Sequence, residues 1–240
     1  MKVDDVKKLH QKRYREEFGR FLVEGEHLVL ELQKAVDLQP QLRDCELFVT
    51  HEYEHWQSPF TTHLISTSLM AGVAETKNPQ GIVAVVPLLL PPPLRPGERA
   101  VFLSEIQDPG NLGTILRTLA WFGRFRCVLS PGSVDPWNPK VVRASAGAIF
   151  HVPIETDVPL ATLPERFPRI ACLDMRGEPV HARSFRQHDC YVFGNEARGL
   201  PRDGLTAIDV PAYSIAGAGA LESLNVASVL NMCLYELNRT

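Results

Sequence analysis

Five prolines fall between residues 87 and 97, in the run Pro87-Leu-Leu-Leu-Pro-Pro-Pro-Leu-Arg-Pro-Gly97. Proline lacks the N–H that a helix interior or a central strand requires, so a run this dense favours an extended, semi-rigid spacer. The run predicts a linker at 87–97 that divides the 240-residue chain into segments at 1–86 and 98–240. A chain of this length can fill two such domains.

Composition removes several classes. Hydrophobic residues at 45% and charged residues at 22% describe a globular protein rather than a disordered one. No apolar run approaches the ~20 residues that span a bilayer. The start, Met1-Lys-Val-Asp-Asp-Val, lacks the apolar core of a signal peptide, so a cytoplasmic location without a membrane partner is expected. Five dispersed cysteines (Cys45, Cys127, Cys172, Cys190, Cys233) contain no C-x-x-C pair, which argues for reduced thiols and against a structural zinc. A formal net charge of −3 excludes a uniformly basic protein but leaves room for a local basic face.

The first segment reads as a small α/β unit. Phe21–Val23, Glu46–Thr50 and Gly81–Val86 have strand character, and Glu24-Gly-Glu26 leads into a helix ending near Lys34. Residues 7–20 are rich in Lys and Arg. Lys12, Arg13 and Arg15 are candidate RNA phosphate contacts, with Tyr14 available to stack, although a solvated helix face would have the same composition. His51-Glu-Tyr-Glu-His55 matches the H-E-x-x-H pattern in which two histidines one helical turn apart hold zinc and the glutamate acts as base. Ser58-Pro59 closes any helix there within a turn, and His63 lies beyond the proline. A zinc hydrolase using His51, Glu52 and His55 is therefore a remote alternative, and no metal site is expected.

After the linker, strands and helices alternate, which implies a mainly parallel sheet with helices on both faces. Ala100–Ile106 is a strand, and Asn111 is placed to cap a helix whose buried stripe is Leu112, Ile115, Leu116, Leu119 and Ala120. Arg117 falls off that stripe. Further strands are expected at Phe125–Leu129, Ile170–Leu173 and Cys190–Phe193, with helices near 140–148 and 160–167. Ile208 and Val210 read as a short strand stopped by Pro211. After a loop with Gly217 and Gly219, Glu222, Ser223 and Asn225 open a helix with Val226, Leu230, Cys233, Leu234 and Leu237 at helical spacing. Ligands of open parallel sheets bind outside the carboxyl ends of the strands. Asn111 with Arg117, Gly194–Gly199, and Glu222–Asn225 all follow strands, so these three clusters are expected to converge on one site.

The series Asp108-Pro-Gly-Asn-Leu-Gly-Thr-Ile-Leu-Arg117, Val141-Val-Arg-Ala-Ser-Ala-Gly-Ala-Ile-Phe-His-Val-Pro153, Phe193-Gly-Asn-Glu-Ala-Arg-Gly-Leu200 and Glu222-Ser-Leu-Asn-Val226 resembles the SpoU/TrmH family of RNA 2′-O-ribose methyltransferases, of the SPOUT class. Lys12-Arg13, Phe21-Leu-Val-Glu-Gly25 and Asn78-Pro-Gln-Gly-Ile-Val-Ala-Val85 resemble the family's ribosomal-protein-like substrate-binding domain. The resemblance covers 7–86 and 98–240. It implies a C-terminal trefoil knot, a homodimer, RNA as partner (ribosomal favoured over transfer RNA) and S-adenosyl-L-methionine as cofactor. By motif it assigns Gly194, Asn195, Glu196, Gly199, Ile208, Val210, Ile215 and Leu224 to the cofactor, and Asn111, Arg117, Glu196, Ser223 and Asn225 to catalysis. The stretch from Tyr213 to Leu221 is longer than the family's usual one.

The implied reaction is an in-line attack of a ribose 2′-oxygen on a sulfonium methyl group, with loss of the hydroxyl proton. Arg117 has been cast as the base in that family, yet a guanidinium is effectively never deprotonated. A phosphate clamp that stabilises charge on the oxygen suits it better, with Glu196 orienting the guanidinium or taking the proton. Ser223 and Asn225 position the ribose or cap the helix. A catalytically silent RNA-binding module of the same fold is the alternative.

Overall fold

The computed structural model describes residues 1–206, 208–220 and 223–239; Glu222 lies outside them. The chain forms two compact units. Residues 1–90 and 135–151 make the first, and 91–134 and 152–239 the second.

In the first unit, α1 (Val3–Lys8) and α2 (Lys12–Phe18) precede β1 (Arg20–Glu24) and α3 (Glu26–Ala35). Then come β2 (Glu46–Val49), β3 (Thr61–Leu64), α4 (Thr67–Val73) and β4 (Ile82–Pro87). The sheet runs β1-β4-β2-β3 and is antiparallel except for the β2–β3 pair. Residues 61–73 carry no expected element. Among the described residues β3 pairs only with β2, and three of its four residues are exposed, so it lacks the alternation that marks a half-buried strand. Val6, Leu9, Leu22, Phe48, Met70, Val73, Val83 and Val85 form the unit's core.

The segment 135–151 lies in sequence beyond the linker yet packs within this first unit. Its helix α6 (Pro139–Ser145) is flanked by contacts that explain the placement. Arg15, only 3% exposed, gives its Nε to Asp135 at 3.0 Å and its Nη1 to the carbonyls of Leu9 and His10 at 2.7 and 2.9 Å. Trp137 packs on Phe21 with ring centroids 4.8 Å apart, and Arg143 pairs with Glu75. Arg15 is therefore no surface cation, and the expected phosphate contact at this position is corrected. A buried guanidinium needs this many acceptors, and its charge is paired with Asp135.

Among the described residues, the second unit is built on a six-stranded parallel sheet. Its strands are β5 (Arg99–Leu103), β6 (Phe125–Leu129), β7 (Ile154–Glu155), β8 (Ile170–Pro179), β9 (Cys190–Phe193) and β10 (Ala212–Ser214), in the order β10-β8-β9-β5-β6-β7. Successive strand residues point to opposite faces. Ala100, Phe102, Val128, Cys190 and Val192 on one face meet Leu163 and Phe167 around α7 (Leu163–Arg166) and Leu205 of α8 (Arg202–Thr206). The alternate residues Val101, Leu103, Cys127, Leu129, Tyr191 and Phe193 are equally buried. α5 (Pro109–Phe122) packs on β6 and on α9 (Val226–Asn238).

Ile208 and Val210 do not form the expected strand. Asp209 between them takes a left-handed φ of 47°, and pairing begins only after Pro211, whose carbonyl accepts from Cys172 N–H at 3.0 Å. A residue without an N–H can accept a ladder bond but cannot donate one, so the strand is displaced to Ala212–Ser214.

The five cysteines are free and buried. Burial pushes the Cys172 thiol up to about 11 and those of Cys45 and Cys233 up to about 12, which marks packing groups rather than nucleophiles. No helix of the described residues is long and apolar enough to cross a membrane.

At the amino ends of the strands, Arg126 is 3% exposed in its side chain and lies between Glu98 and Glu155, while its Nη2 reaches the Pro92 carbonyl at 3.0 Å. Arg166 adds a bidentate pair to Glu155 at 2.7 and 2.8 Å. Burial alone would raise the Glu155 carboxyl, but the two guanidiniums outweigh it and hold it below the usual value of 4.5. A carboxylate depressed in the fold stabilises the fold above its ordinary range, and that contribution is lost as pH falls below 4.5. Removing Arg126 leaves Glu155 with Arg166 but strips Glu98, 5% exposed in its side chain, of its counter-charge. Arg126→Met should lower stability by roughly 3–5 kcal/mol in urea unfolding at neutral pH, with the deficit shrinking in acid. An unchanged midpoint would show that the network holds nothing.

Candidate functional site

α5 starts a turn earlier than expected. Pro109 presets the first helical position, and Asp108 caps it by accepting from Asn111 N–H at 2.7 Å. Asn111 is thus not the cap, which corrects the expectation. Its side-chain amide is left to face outward, and there it joins the other two clusters.

The connection is a directed chain of hydrogen bonds. Asn225, the cap of α9, accepts on Oδ1 from the N–H groups of Ala227 and Ser228 at 2.9 and 3.2 Å. Its Nδ2 donates to Asn111 Oδ1 at 2.8 Å, and Asn111 Nδ2 donates to Glu196 Oε1 at 3.1 Å. Every donor points the same way, from the N-terminus of α9 towards a carboxylate. Aligned amide dipoles polarise one another, and a helix N-terminus at one end suits a negative charge at the other. The three clusters expected to converge do so through one side chain from each.

Glu196 sits in a loop that closes on itself directly after β9. Asn195 and Gly199 exchange backbone bonds at 2.9 Å each way, with Gly199 at φ +70°. Asn195 Oδ1 accepts from Ala197 and Arg198 N–H, both at 2.9 Å, while its Nδ2 donates to the Glu105 carbonyl at 2.7 Å. A Cβ on Gly194 would collide with the Gly199 and Leu200 backbone, so the turn demands glycine there. Asn195 is buried, holding the loop from inside rather than lining a cleft.

Arg117 is exposed on α5 and makes no side-chain hydrogen bond or ion pair among the described residues. Two turns of helix separate it from the capping Asp108. Ser223 and Leu224 are exposed, and Ile215 is half-buried. Ile208 and Val210 pack half-buried against the core that contains Leu205 and Cys172. Glu105 and Ser130 border the loop without having been singled out in the sequence; isolated polar residues at strand ends carry no pattern.

Other candidates stand apart from this cluster. Lys12 and Arg13 are exposed in the first unit, and Tyr14 has Lys8 Nζ 5.9 Å and Arg13 Cζ 5.7 Å from its ring centroid. The motif residues Val141–Ala148 also belong to that unit. His51–Tyr53 is a 3-10 turn, not an α-helix, and at three residues per turn the first and fifth residues of the pattern do not share a face. His51 and His55 each pair with Glu54 instead, at 2.6 and 3.2 Å. No group of three or more potential metal ligands occurs among the described residues.

Comparison with known proteins gives the family. Residues 98–235 match the SpoU rRNA Methylase family model, and residues 1–84 match an MRM3-like substrate binding domain. The 23S rRNA (guanosine(2553)-2′-O)-methyltransferase RlmP of Bacillus subtilis is 30% identical over 98% of this chain and 95% of its own. An uncharacterised tRNA/rRNA methyltransferase of Synechocystis is 32% identical over 99% and 90%. The solved structure of an AdoMet-bound rRNA methyltransferase from Sinorhizobium meliloti superposes with a TM-score of 0.82 at 26% identity, covering 99% of this chain and 94% of that one.

The geometry separates two duties of Asn225. Asn225→Ala removes a cap and should lower stability by about 1 kcal/mol, whereas Asn111→Ala, off the cap and at the surface, should stay within ~0.5 kcal/mol of the parent. Denaturant unfolding of the two variants checks this. Equal losses would mean that Asn111 supports the helix after all.

Proposed function

Because the chain belongs to the SpoU rRNA methylase family, and is thus a methyltransferase, we propose that it methylates a ribose 2′-hydroxyl of RNA, with ribosomal RNA as substrate. The observation that carries this reading is the hydrogen-bonded series Asn225–Asn111–Glu196, which brings one polar group from each of three strand-following segments to one place. The substrate class is supported by the 2′-O activity on 23S rRNA named for the Bacillus subtilis relative and by the match of residues 1–84 to a substrate-binding domain.

The donor set suits S-adenosyl-L-methionine. It offers backbone groups of the glycine-closed turn at 194–199, half-buried apolar side chains at Ile208, Val210 and Ile215, and a carboxylate at Glu196 compatible with a cationic ligand. S-Adenosyl-L-methionine, when bound, supplies an electrophilic methyl group on a sulfonium. The chain's own residues do the rest. Glu196 has Oε1 fixed by Asn111, and its Oε2 receives the 2′-hydroxyl proton, directly or through water. Arg117 grips the neighbouring phosphate bidentately and stabilises charge developing on the attacking oxygen. It stays protonated throughout, so it is not the base. Asn225 keeps Asn111 in register, and Ser223 meets the ribose.

Lys12 and Arg13 bring RNA to the first unit by phosphate contact. The C-terminal segment around β10 and α9 forms the knot. A homodimer completes the reading: α5 and α9 pack together and leave Trp121, Met232 and Tyr235 exposed, Trp121 at 85%, and a second copy covers them. The enzyme works in a reducing cytoplasm, which suits its five free thiols.

Arg117 offers the cleanest test, since it is exposed and its truncation spares the core. Arg117→Ala should slow methyl transfer to ribosomal RNA by about 10²–10³-fold, the usual effect of removing one donor to a developing oxyanion. Arg117→Lys should recover little, because an ammonium cannot reproduce bidentate geometry. The pH–rate profile should keep its shape and move down. A profile that climbs with hydroxide only in the Ala variant would instead make Arg117 the base. RNA bound by the wild-type protein but never methylated would favour the silent module.

A further inference from the structure

Glu105 follows β5 in a left-handed backbone conformation, φ 49°, which disfavours any residue with a Cβ. Its backbone is fully engaged. The N–H donates to Ser130 Oγ at 2.7 Å, and the carbonyl accepts from Gln107 Nε2 at 3.1 Å and from Asn195 Nδ2 at 2.7 Å. Ser130 follows β6 and Asn195 follows β9, the two neighbours of β5 in the sheet. One residue therefore ties together the carboxyl ends of three adjacent strands.

A glycine would make each of these backbone bonds without strain. What glycine lacks is the carboxylate, and that carboxylate forms an ion pair with Arg198. Arg198 also has its own N–H on Asn195 Oδ1 at 2.9 Å. Glu105 thus grips the 195–199 loop at two points, the Asn195 amide and the Arg198 guanidinium, one on each side of Glu196. On the opposite flank Arg202 pairs with Asp174 of β8 at 2.7 Å, so the segment leaving β9 is braced against both neighbouring strands. Strain kept at a site that a glycine could relieve points to a task for the side chain.

We infer that Glu105 is a positioning residue that holds the Glu196 loop from the end of β5 through Arg198. It touches no reacting atom; it acts by fixing where Glu196 stands. The inference rests on the methyltransferase reading only for what the loop does, not for what holds it.

The test is Glu105→Gly with Arg198→Ala and the double variant. In Glu105→Gly the unfolding midpoint should stay near wild type, since relieved strain offsets the freer unfolded chain. The amides of Ala197 and Arg198 should nevertheless exchange with deuterium about 2–5-fold faster, the scale of losing one exposed ion pair that holds the loop. The kcat for RNA methylation should drop about 10-fold with KM for RNA little changed, because the base is misplaced rather than removed. Arg198→Ala should reproduce both effects, and the double variant should be no worse than either single one. Unchanged exchange at Ala197 and Arg198 in Glu105→Gly, or additive losses in the double variant, would overturn the inference. If wild-type protein methylated no RNA, the functional reading would fall, and the exchange measurement, which needs no substrate, would still decide this one.

Discussion

The site depends on Asn111 being released from its own helix. Pro109 and Asp108 start α5 between them, so the amide of Asn111 is not used on backbone N–H groups. An asparagine amide can donate and accept at once, and Asn111 does so, accepting from Asn225 and donating to Glu196. An aspartate there could only accept, and its charge would oppose that of Glu196. A serine would be too short to span two loops. The residue type is set by the need to link an amide donor on one side to a carboxylate on the other.

The sheet supplies the rest of the geometry. β9 and β5 are parallel neighbours, so their following segments leave from the same edge, and the helix after β5 packs on α9. The Asn195–Gly199 closure then fixes the height of Glu196 above that edge. Parallel neighbours with closely held loops, together with the packing of α5 on α9, put the polar groups within hydrogen-bond reach above the apolar core. That separation lets the core be packed for stability and the rim be arranged for chemistry.

Much of this was legible in the sequence because it rests on local rules. The alternation of strands and helices after residue 98 and the Asn225 cap follow from spacing and residue type, and the polar clusters, 194–199 among them, follow strands as ligand sites in such sheets do. The departures come where a distant partner or a special backbone decides. Arg15 looks like a surface cation until Asp135, far away in sequence, takes it into the core. β3 is hidden because an exposed edge strand has no hydrophobic period. Ile208 and Val210 have strand propensity, but Asp209 turns the chain and Pro211 delays the pairing. Glu105 gives no signal, since nothing in a glutamate's neighbours announces a left-handed φ.

The central claim is that the amide series from α9 to Glu196 serves methyl transfer rather than merely helix capping. Asn225→Asp isolates that point: the carboxylate still accepts from Ala227 and Ser228, but the donor to Asn111 is gone. The measurement is transfer of labelled methyl from S-adenosyl-L-methionine to ribosomal RNA, with the product nucleoside identified as 2′-O-methylated, alongside an unfolding curve. The account predicts an unfolding midpoint like that of the wild type and a transfer rate lowered by at least ~10-fold, the scale on which a misplaced catalytic group is felt. Wild-type transfer by a folded Asn225→Asp protein would contradict it.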